Sequence, residues 1–302
     1  MSFNLGDAYN LMIVCGFDQG ILELEKRKDV YFYNDRKEVP KDITNAIVKR
    51  GIISIGDNAF YGCTGLASIT ILNSVTTIGY YAFRGCTSLT SITIPDSVTT
   101  IGDYAFDGCT SLTSITISDS VTTIGYYAFR GCTSLTSITI PGSVTTINNA
   151  FVGCEKLTSV VIPNSVTTIN GAFWGCTSLT SITIPDSVTT INYAFYGCTS
   201  LTSITIPDSV TTINYAFYGC EKLTSVVIPD SVTTIVGGAF NGCMSLTSIT
   251  IPNSVTTIGN NNGDWDQGVF HGCDKLTSVV IPDSVTNIWN SAFPPHIKKI
   301  RK

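Results

Sequence analysis

The sequence predicts an α/β repeat solenoid. Three observations carry this. A unit best seen at 177–198, TSLTSITIPDSVTTINYAFYGC, recurs from about residue 52 to residue 293, and self-similarity on that scale marks a stacked repeat. Ten cysteines occupy one place in the unit: Cys63, Cys86, Cys109, Cys132, Cys154, Cys176, Cys198, Cys220, Cys243 and Cys273. Their separations are 23, 23, 23, 22, 22, 22, 22, 23 and 30 residues. The same apolar positions return in each copy, at Leu179, Ile182, Ile184, Val188, Ile191, Ala194, Phe195 and Cys198 in that one. A drift of one residue suits a coil whose corner tolerates a deletion, and the step of 30 marks one insertion. Units of this kind pack only on their neighbours, so the 302 residues read as one quasi-linear array.

Residues 1–51 do not follow the repeat and are expected to form an N-terminal cap. ILELE at 21–25 alternates, EKRKD turns and VYFY at 30–33 resumes extended character, which reads as a hairpin. From Asp42 to Gly51 the run DITNAIVKRG reads as a short helix, with Asp42 as N-cap, Lys49 and Arg50 in the last turn and Gly51 after it. Residues 52–293 hold about ten units. LTSITI, at 89–94 and its equivalents, is the clearest strand, with Ile92 and Ile94 facing one way and Thr93 the other. Strands that return every 22–23 residues must lie side by side in parallel. Pro-Asp-Ser, as at 185–187, makes a turn. VTTI extends again, and AFxGC makes the opposite corner, expected to hold one turn of helix ended by glycine. Residues 294–302 form a basic tail, HIKKIRK, read as a solvated end.

Charge excludes one class of partner. The chain has 17 Lys and Arg against 22 Asp and Glu. Residues 51–290 carry five basic and 14 acidic groups, whereas a nucleic-acid binder should show a basic face. No apolar run approaches the roughly 18 residues of a membrane span. The first residues, MSFNLGDAYNLMIVCGF, lack a positive n-region, so no signal peptide is read there and an intracellular location is favoured over the cell surface.

The pattern LxxIxIPxSVTTIxxxAFxGC resembles the BspA-like subclass of leucine-rich repeats over residues 52–293. The resemblance implies a right-handed coil with a parallel sheet on its concave face and short strands or turns on the other side. It implies recognition or adhesion, with no enzyme activity, no cofactor and no named ligand.

The side chains that could carry chemistry are few. The repeated cysteines read as buried free thiols filling small core spaces, and Cys15 stands outside the array. There are two histidines, His271 and His296, so no catalytic triad can be argued. The insertion NNNGDWDQG at 260–268 spaces Asn262, Asp264 and Asp266 like a calcium loop but lacks the downstream Glu; no metal site is expected. Two surfaces remain. Around the conserved corner the residues vary from copy to copy, and the aromatic and cationic ones are candidate partner contacts: Tyr81, Arg84, Tyr104, Tyr127, Arg130, Trp174, Tyr193, Tyr196, Tyr215 and Tyr218. The second is a row of threonines on the strand face, Thr93, Thr116, Thr139, Thr183 and Thr205, which could meet ice or a polysaccharide. The expected function is a non-enzymatic protein-binding or adhesion scaffold, with lattice binding as the alternative. Protein partners are expected, nucleic acid is not, and self-association through the solenoid ends is open.

Overall fold

The computed structural model describes residues 30–35, 39–259 and 268–301. Cys15, the hairpin arm at 21–25 and the calcium-like stretch at 260–267 lie outside the described residues. The chain divides into two compact units, Met1–Leu135 and Thr136–Lys302.

The first unit contains β1 (Tyr31–Tyr33), β2 (Asn45–Val48), β3 (Ser54–Ile55), β4 (Ser68–Thr70), β5 (Thr77–Ile78), β6 (Ser91–Thr93), β7 (Thr100–Ile101), β8 (Ser114–Thr116) and β9 (Thr123–Ile124). All their pairings are parallel. The VTTI strands form the sheet β3-β5-β7-β9, with Ser54, Thr77, Thr100 and Thr123 in one row. Of the LTSITI strands, β4 joins the non-repeat strands β1 and β2 in the sheet β1-β2-β4, and β6 pairs with β8. Each coil therefore lies over its equivalent 23 residues on, as the cysteine count requires.

Residues 42–51 are a correction. The expected short helix is absent, and β2 stands there instead. Asn45, Ala46 and Ile47 pair with Ser68, Ile69 and Thr70, and Ala46, Ile47 and Val48 are buried. Ten residues hold little helix stability of their own. A neighbouring strand that accepts their hydrogen bonds and buries three apolar side chains outweighs it.

The second unit contains β10 (Ser137–Thr139), β11 (Ser159–Val161), β12 (Ser203–Thr205), β13 (Thr212–Asn214), β14 (Ser225–Val227), β15 (Thr234–Val236), β16 (Thr257–Ile258), β17 (Ser278–Ile281), β18 (Asn287–Ile288) and β19 (Lys298–Arg301). The VTTI strands again make one parallel sheet, β13-β15-β16-β18. The insertion is absorbed there without loss of register, since Ile258 pairs with Ile288. The basic tail, expected as a solvated end, is strand β19, with Val280 opposite Ile300.

Among the described residues there is no helix, so the architecture is a parallel β-solenoid and the α/β expectation does not carry over. The AFxGC corner shows why. Its amides reach across to the next coil, Phe83 N–H to Ala105 O at 2.7 Å and Gly85 N–H to Asp107 O at 2.8 Å. Within the corner only tight turns close, as in Cys86 N–H to Phe83 O at 3.1 Å. A helix would need those donors for itself. Gly85 sits at φ 72°, a left-handed value that glycine adopts without cost.

The core is a set of ladders. Phe60, Phe83, Phe106 and Phe129 stack in the first unit at 5.1–5.3 Å between ring centres. Phe151, Phe173, Phe195, Phe217, Phe240, Phe270 and Phe293 do so in the second at 5.0–5.9 Å. Leu179, Val188, Ile191, Ala194, Phe195 and Cys198 are all fully buried. One coil alone could not cover these faces; stacking buries both sides of each.

Candidate functional site

The corner before Ala-Phe is built on a backbone peculiarity. One position of the unit has φ between 50° and 59° in nine copies: Asn58, Tyr81, Tyr104, Tyr127, Asn149, Gly171, Tyr193, Tyr215 and Gly237. Glycine and asparagine are the residues that adopt this region readily, and a bulky side chain there costs about 1–2 kcal/mol. Five of the nine are tyrosine. Their rings meet the ring one coil away: Tyr104 stacks on Tyr127 at 5.1 Å and Tyr193 on Tyr215 at 4.8 Å, while Tyr81 lies tilted at 55° against Tyr104 at 5.0 Å. Each such pair contributes about 0.5–1.5 kcal/mol beyond burial, which roughly offsets the backbone cost.

In the first unit the predicted residues Tyr81, Arg84, Tyr104, Tyr127 and Arg130 come together around one carboxylate. Asp107 is only 5 % exposed. Its Oδ2 accepts from Arg84 Nε at 2.8 Å and its Oδ1 from Arg130 Nε at 3.0 Å. The Arg84 guanidinium lies 4.6 Å from the Tyr81 ring centre and 5.6 Å from that of Tyr61. That of Arg130 lies 5.5 Å from Tyr127 and 5.9 Å from Tyr104. Both cations are thus fixed in direction by a buried acid and by aromatic faces. Tyr61, Tyr80 and Tyr126 present exposed rings beside them. Two carboxylates sit on the same corner: Asp57 Oδ1 accepts from Tyr80 N–H and Asp103 Oδ1 from Tyr126 N–H, each at 2.7 Å.

The second unit gathers Trp174, Tyr193, Tyr196, Tyr215 and Tyr218. Tyr196 and Tyr218 stack at 4.4 Å with their planes 3° apart, and Trp174 lies 4.7 Å from Tyr196. The next coil makes room with glycine. A Cβ on Gly238 would meet the Tyr218 ring at 2.7 Å, and one on Gly237 would overlap the Tyr215 ring. Asn148 and Asn170 accept here from the amides of Asn170 and Asn192, at 3.2 and 3.1 Å, as the aspartates do in the first unit.

The threonine row is exposed as the period-two pattern predicts. Thr93 pairs beside Thr116 in the first unit, both exposed. Thr139, Thr183 and Thr205 are exposed in the second. There Thr139 lies opposite Val161, and Thr205 opposite Val227. Val161 is 55 % and Val227 68 % exposed, so the hydroxyl row is broken by apolar side chains.

A profile described as "BspA type Leucine rich repeat region" matches residues 39–151 and 148–263, with six copies. The chain belongs to the BspA-type leucine-rich-repeat family. This BspA-type chain is similar to a leucine-rich-repeat protein of Bacteroides ovatus, at 26% identity over 90% of this chain and 92% of that one, with a TM-score of 0.57. It is also similar to a leucine-rich cell surface protein of Faecalibacterium prausnitzii, at 32% identity over 85% and 88%, with a TM-score of 0.55. A third similar structure, a leucine-rich-repeat protein of Eubacterium ventriosum, is 24% identical over 84% and 85%, with a TM-score of 0.54, and bears on the fold alone. No curated protein sequence matches the chain. Leucine-rich-repeat proteins commonly act as interaction or adhesion scaffolds.

The BspA-type cysteine ladder is chemically closed. The ten thiols are buried and form no disulfide; Cys63 Sγ donates to Pro40 O at 3.7 Å, and later ones donate to a phenylalanine carbonyl of the preceding coil, as in Cys86 to Phe60 O at 3.2 Å. Burial pushes the Cys86 and Cys198 thiols up to about 12, and Cys109 and Cys176 well above their ordinary value. Among the described residues no group of three or more His, Cys, Asp or Glu is placed to hold a metal ion. No described helix is long and apolar enough to cross a membrane.

Three participants were not singled out as contacts from the sequence. Asp107 reads there as one more variable surface residue, yet it is the buried anchor of both arginines. Tyr80 and Tyr126 present the exposed rings, 40 % and 48 % exposed, while their neighbours Tyr81 and Tyr127 are half-covered. The signal was legible: GYYAFR occurs twice, at 79–84 and 125–130, on either side of GDYAFD at 102–107.

Proposed function

We propose that this chain is a non-enzymatic scaffold for protein binding or adhesion, and that the aromatic corner of each unit is its contact surface. One observation carries the reading. Tyrosine occupies the left-handed position in five copies although asparagine and glycine fit the same place at less cost in others. Ring contacts between coils offset that cost, so the tyrosines stand as a pre-organised row at the corner. Exposed Tyr, Trp and Arg are also the side chains that dominate binding energy at interfaces, and a rigid array of weak contacts gains affinity by multivalency. The acidic array argues against nucleic acid as the ligand.

The Faecalibacterium relative is called a cell surface protein, which supports an adhesive role outside the cell and runs against the intracellular location favoured from the first residues. The buried thiols suit an oxidising exterior, because a thiol that stays protonated is a poor nucleophile. The threonine row supports the lattice-binding alternative less well, since Val161 and Val227 interrupt it.

The test is the triple variant Trp174→Ala, Tyr196→Ala, Tyr218→Ala. It should keep the circular dichroism of the parent and lose at least tenfold in capture of the native partner by crosslinking pull-down, since removing one such anchor costs about 2 kcal/mol or more. Undiminished capture would rule out the corner as the contact.

A further inference from the structure

The last strand, β19, is the edge of its sheet. Lys298 N–H donates to Thr277 O at 2.8 Å, and the register sets Lys298 beside Ser278 and Ile300 beside Val280. Backbone groups alternate in direction along a strand, so those of Lys298 and Ile300 face β17 and those of Lys299 and Arg301 face away. Earlier coils give the same outward groups to the next coil, as in Ile94 N–H to Thr116 O at 2.8 Å and Ile140 N–H to Val161 O at 3.0 Å. Among the described residues no strand pairs with the outer side of β19. The strand is nevertheless held in place. Arg301 Nη1 donates to Val285 O at 3.0 Å and to Pro282 O at 3.4 Å, and the Lys299 ammonium lies 5.9 Å from the Phe293 ring centre. All four residues of β19 are exposed.

Charge and side-chain order say what fits this edge. Residues 274–301 carry Lys275, Lys298, Lys299 and Arg301 against Asp274 and Asp283, a net +2 with His296 neutral, on a chain whose total is −5. Residues 244–259, in the coil before, carry no charge. Among the described residues none of the three β19 cations is in an ion pair. Beside them Val280 and Ile300 stand together, 42% and 40% exposed. Lysines on an open edge keep like chains from pairing, since two copies of β19 set edge to edge bring cation onto cation. The same lysines admit an acidic strand.

We propose that β19 is extended by an acidic strand of a partner protein, laid parallel to it as each earlier coil receives the next, with acids beside Lys298 and Lys299 and an apolar residue beside Ile300. Main-chain bonds to Lys299 and Arg301 give affinity, and the alternating side chains give selectivity. This contact is separate from the aromatic corner and does not rest on it.

The test is fluorescence anisotropy of labelled peptides on the full chain at low salt. The peptide TEEVTV should bind, TQQVTV about three- to tenfold more weakly, and TKKVTV not measurably. N-methylation of the TEEVTV valine amide, which would point at Lys299 O, keeps the charge and side chain and removes one ladder bond; it should cost about tenfold. Amide exchange at Lys299 and Arg301 should slow when TEEVTV is bound. Lys298→Glu with Lys299→Glu should reverse the order of TEEVTV and TKKVTV, and if that variant does not fold, the peptide series on the unchanged chain decides. No binding of TEEVTV, equal binding of TQQVTV, or indifference to N-methylation would overturn the proposal. So would a dimer in sedimentation that Lys298→Glu dissolves, which gives the edge to a second copy. The Trp174→Ala, Tyr196→Ala, Tyr218→Ala variant should bind TEEVTV as the parent does, so either contact can fail without the other.

Discussion

Raising the pH should take this protein apart through its cysteines. Cys86, Cys198 and Cys273 are pushed by burial up to about 12 from an ordinary 9.0. Cys109, Cys176, Cys220 and Cys243 are pushed well above 9.0 for the same reason. Above pH 9 the unfolded chain gives up these protons and the folded chain keeps them. The unfolded state then binds fewer protons, so stability is intact below pH 9 and falls as pH rises toward 12. Each thiol contributes a loss of about 1.4 kcal/mol per pH unit. Cys63, which burial also pushes up, lies with Cys86 and Cys109 in the first unit, and Cys176, Cys198, Cys220, Cys243 and Cys273 lie in the second, so each unit loses several kcal/mol, about 1.4 per thiol, for each pH unit above 9. A domain's whole stability is about 5–15 kcal/mol, so both units should unfold within a few pH units above 9. The assay is far-ultraviolet circular dichroism from pH 8 to pH 12 with a reductant present, read beside thiolate absorbance at 240 nm. Loss of ellipticity and appearance of thiolate should rise together in one steep step. Thiolate appearing near pH 9 with ellipticity unchanged, or ellipticity surviving past pH 12, would refute the reasoning. Cys198→Ala should flatten the step by about one thiol's share.

Two further outcomes follow from the ladders. Phe195→Ala removes a fully buried ring between Phe173 and Phe217, and should cost about 3–5 kcal/mol. Because coils stack only on their neighbours, hydrogen exchange should speed up in the coils beside residue 195 and stay unchanged in the first unit. Tyr193→Gly relieves a left-handed backbone at φ 55° and forfeits the stack on Tyr215; the two effects should cancel to within about 1 kcal/mol in urea melts. Tyr193→Val keeps the strain, loses the stack and adds β-branching, and should be the less stable of the pair by about 1–2 kcal/mol.

The helix expected over 42–51 failed for a reason that period counting cannot see. Asp42, Lys49, Arg50 and Gly51 satisfy every local rule for helix ends, but the amides of Asn45–Val48 have a neighbouring coil within reach. The basic tail was read in part: Lys298, Lys299 and Arg301 are exposed as a solvated end would be, but they form a strand, with Val280 opposite Ile300. Of the candidate site, Tyr81, Tyr193 and their equivalents were legible as variable positions in an invariant frame. Their left-handed backbone was not, because a bulky aromatic residue is not expected there.

By itself the sequence determined the coil length, the side chains that face inward and the parallel stacking, because identical apolar residues returning every 22–23 positions can all be buried only one above another. Tertiary structure alone decided how each corner turns and which variable residues meet. Those outcomes depend on hydrogen bonds and ring contacts between coils more than twenty residues apart. Asp107, a polar residue in a run of variable ones, became the buried anchor of Arg84 and Arg130 only when its neighbours one coil away on either side closed over it.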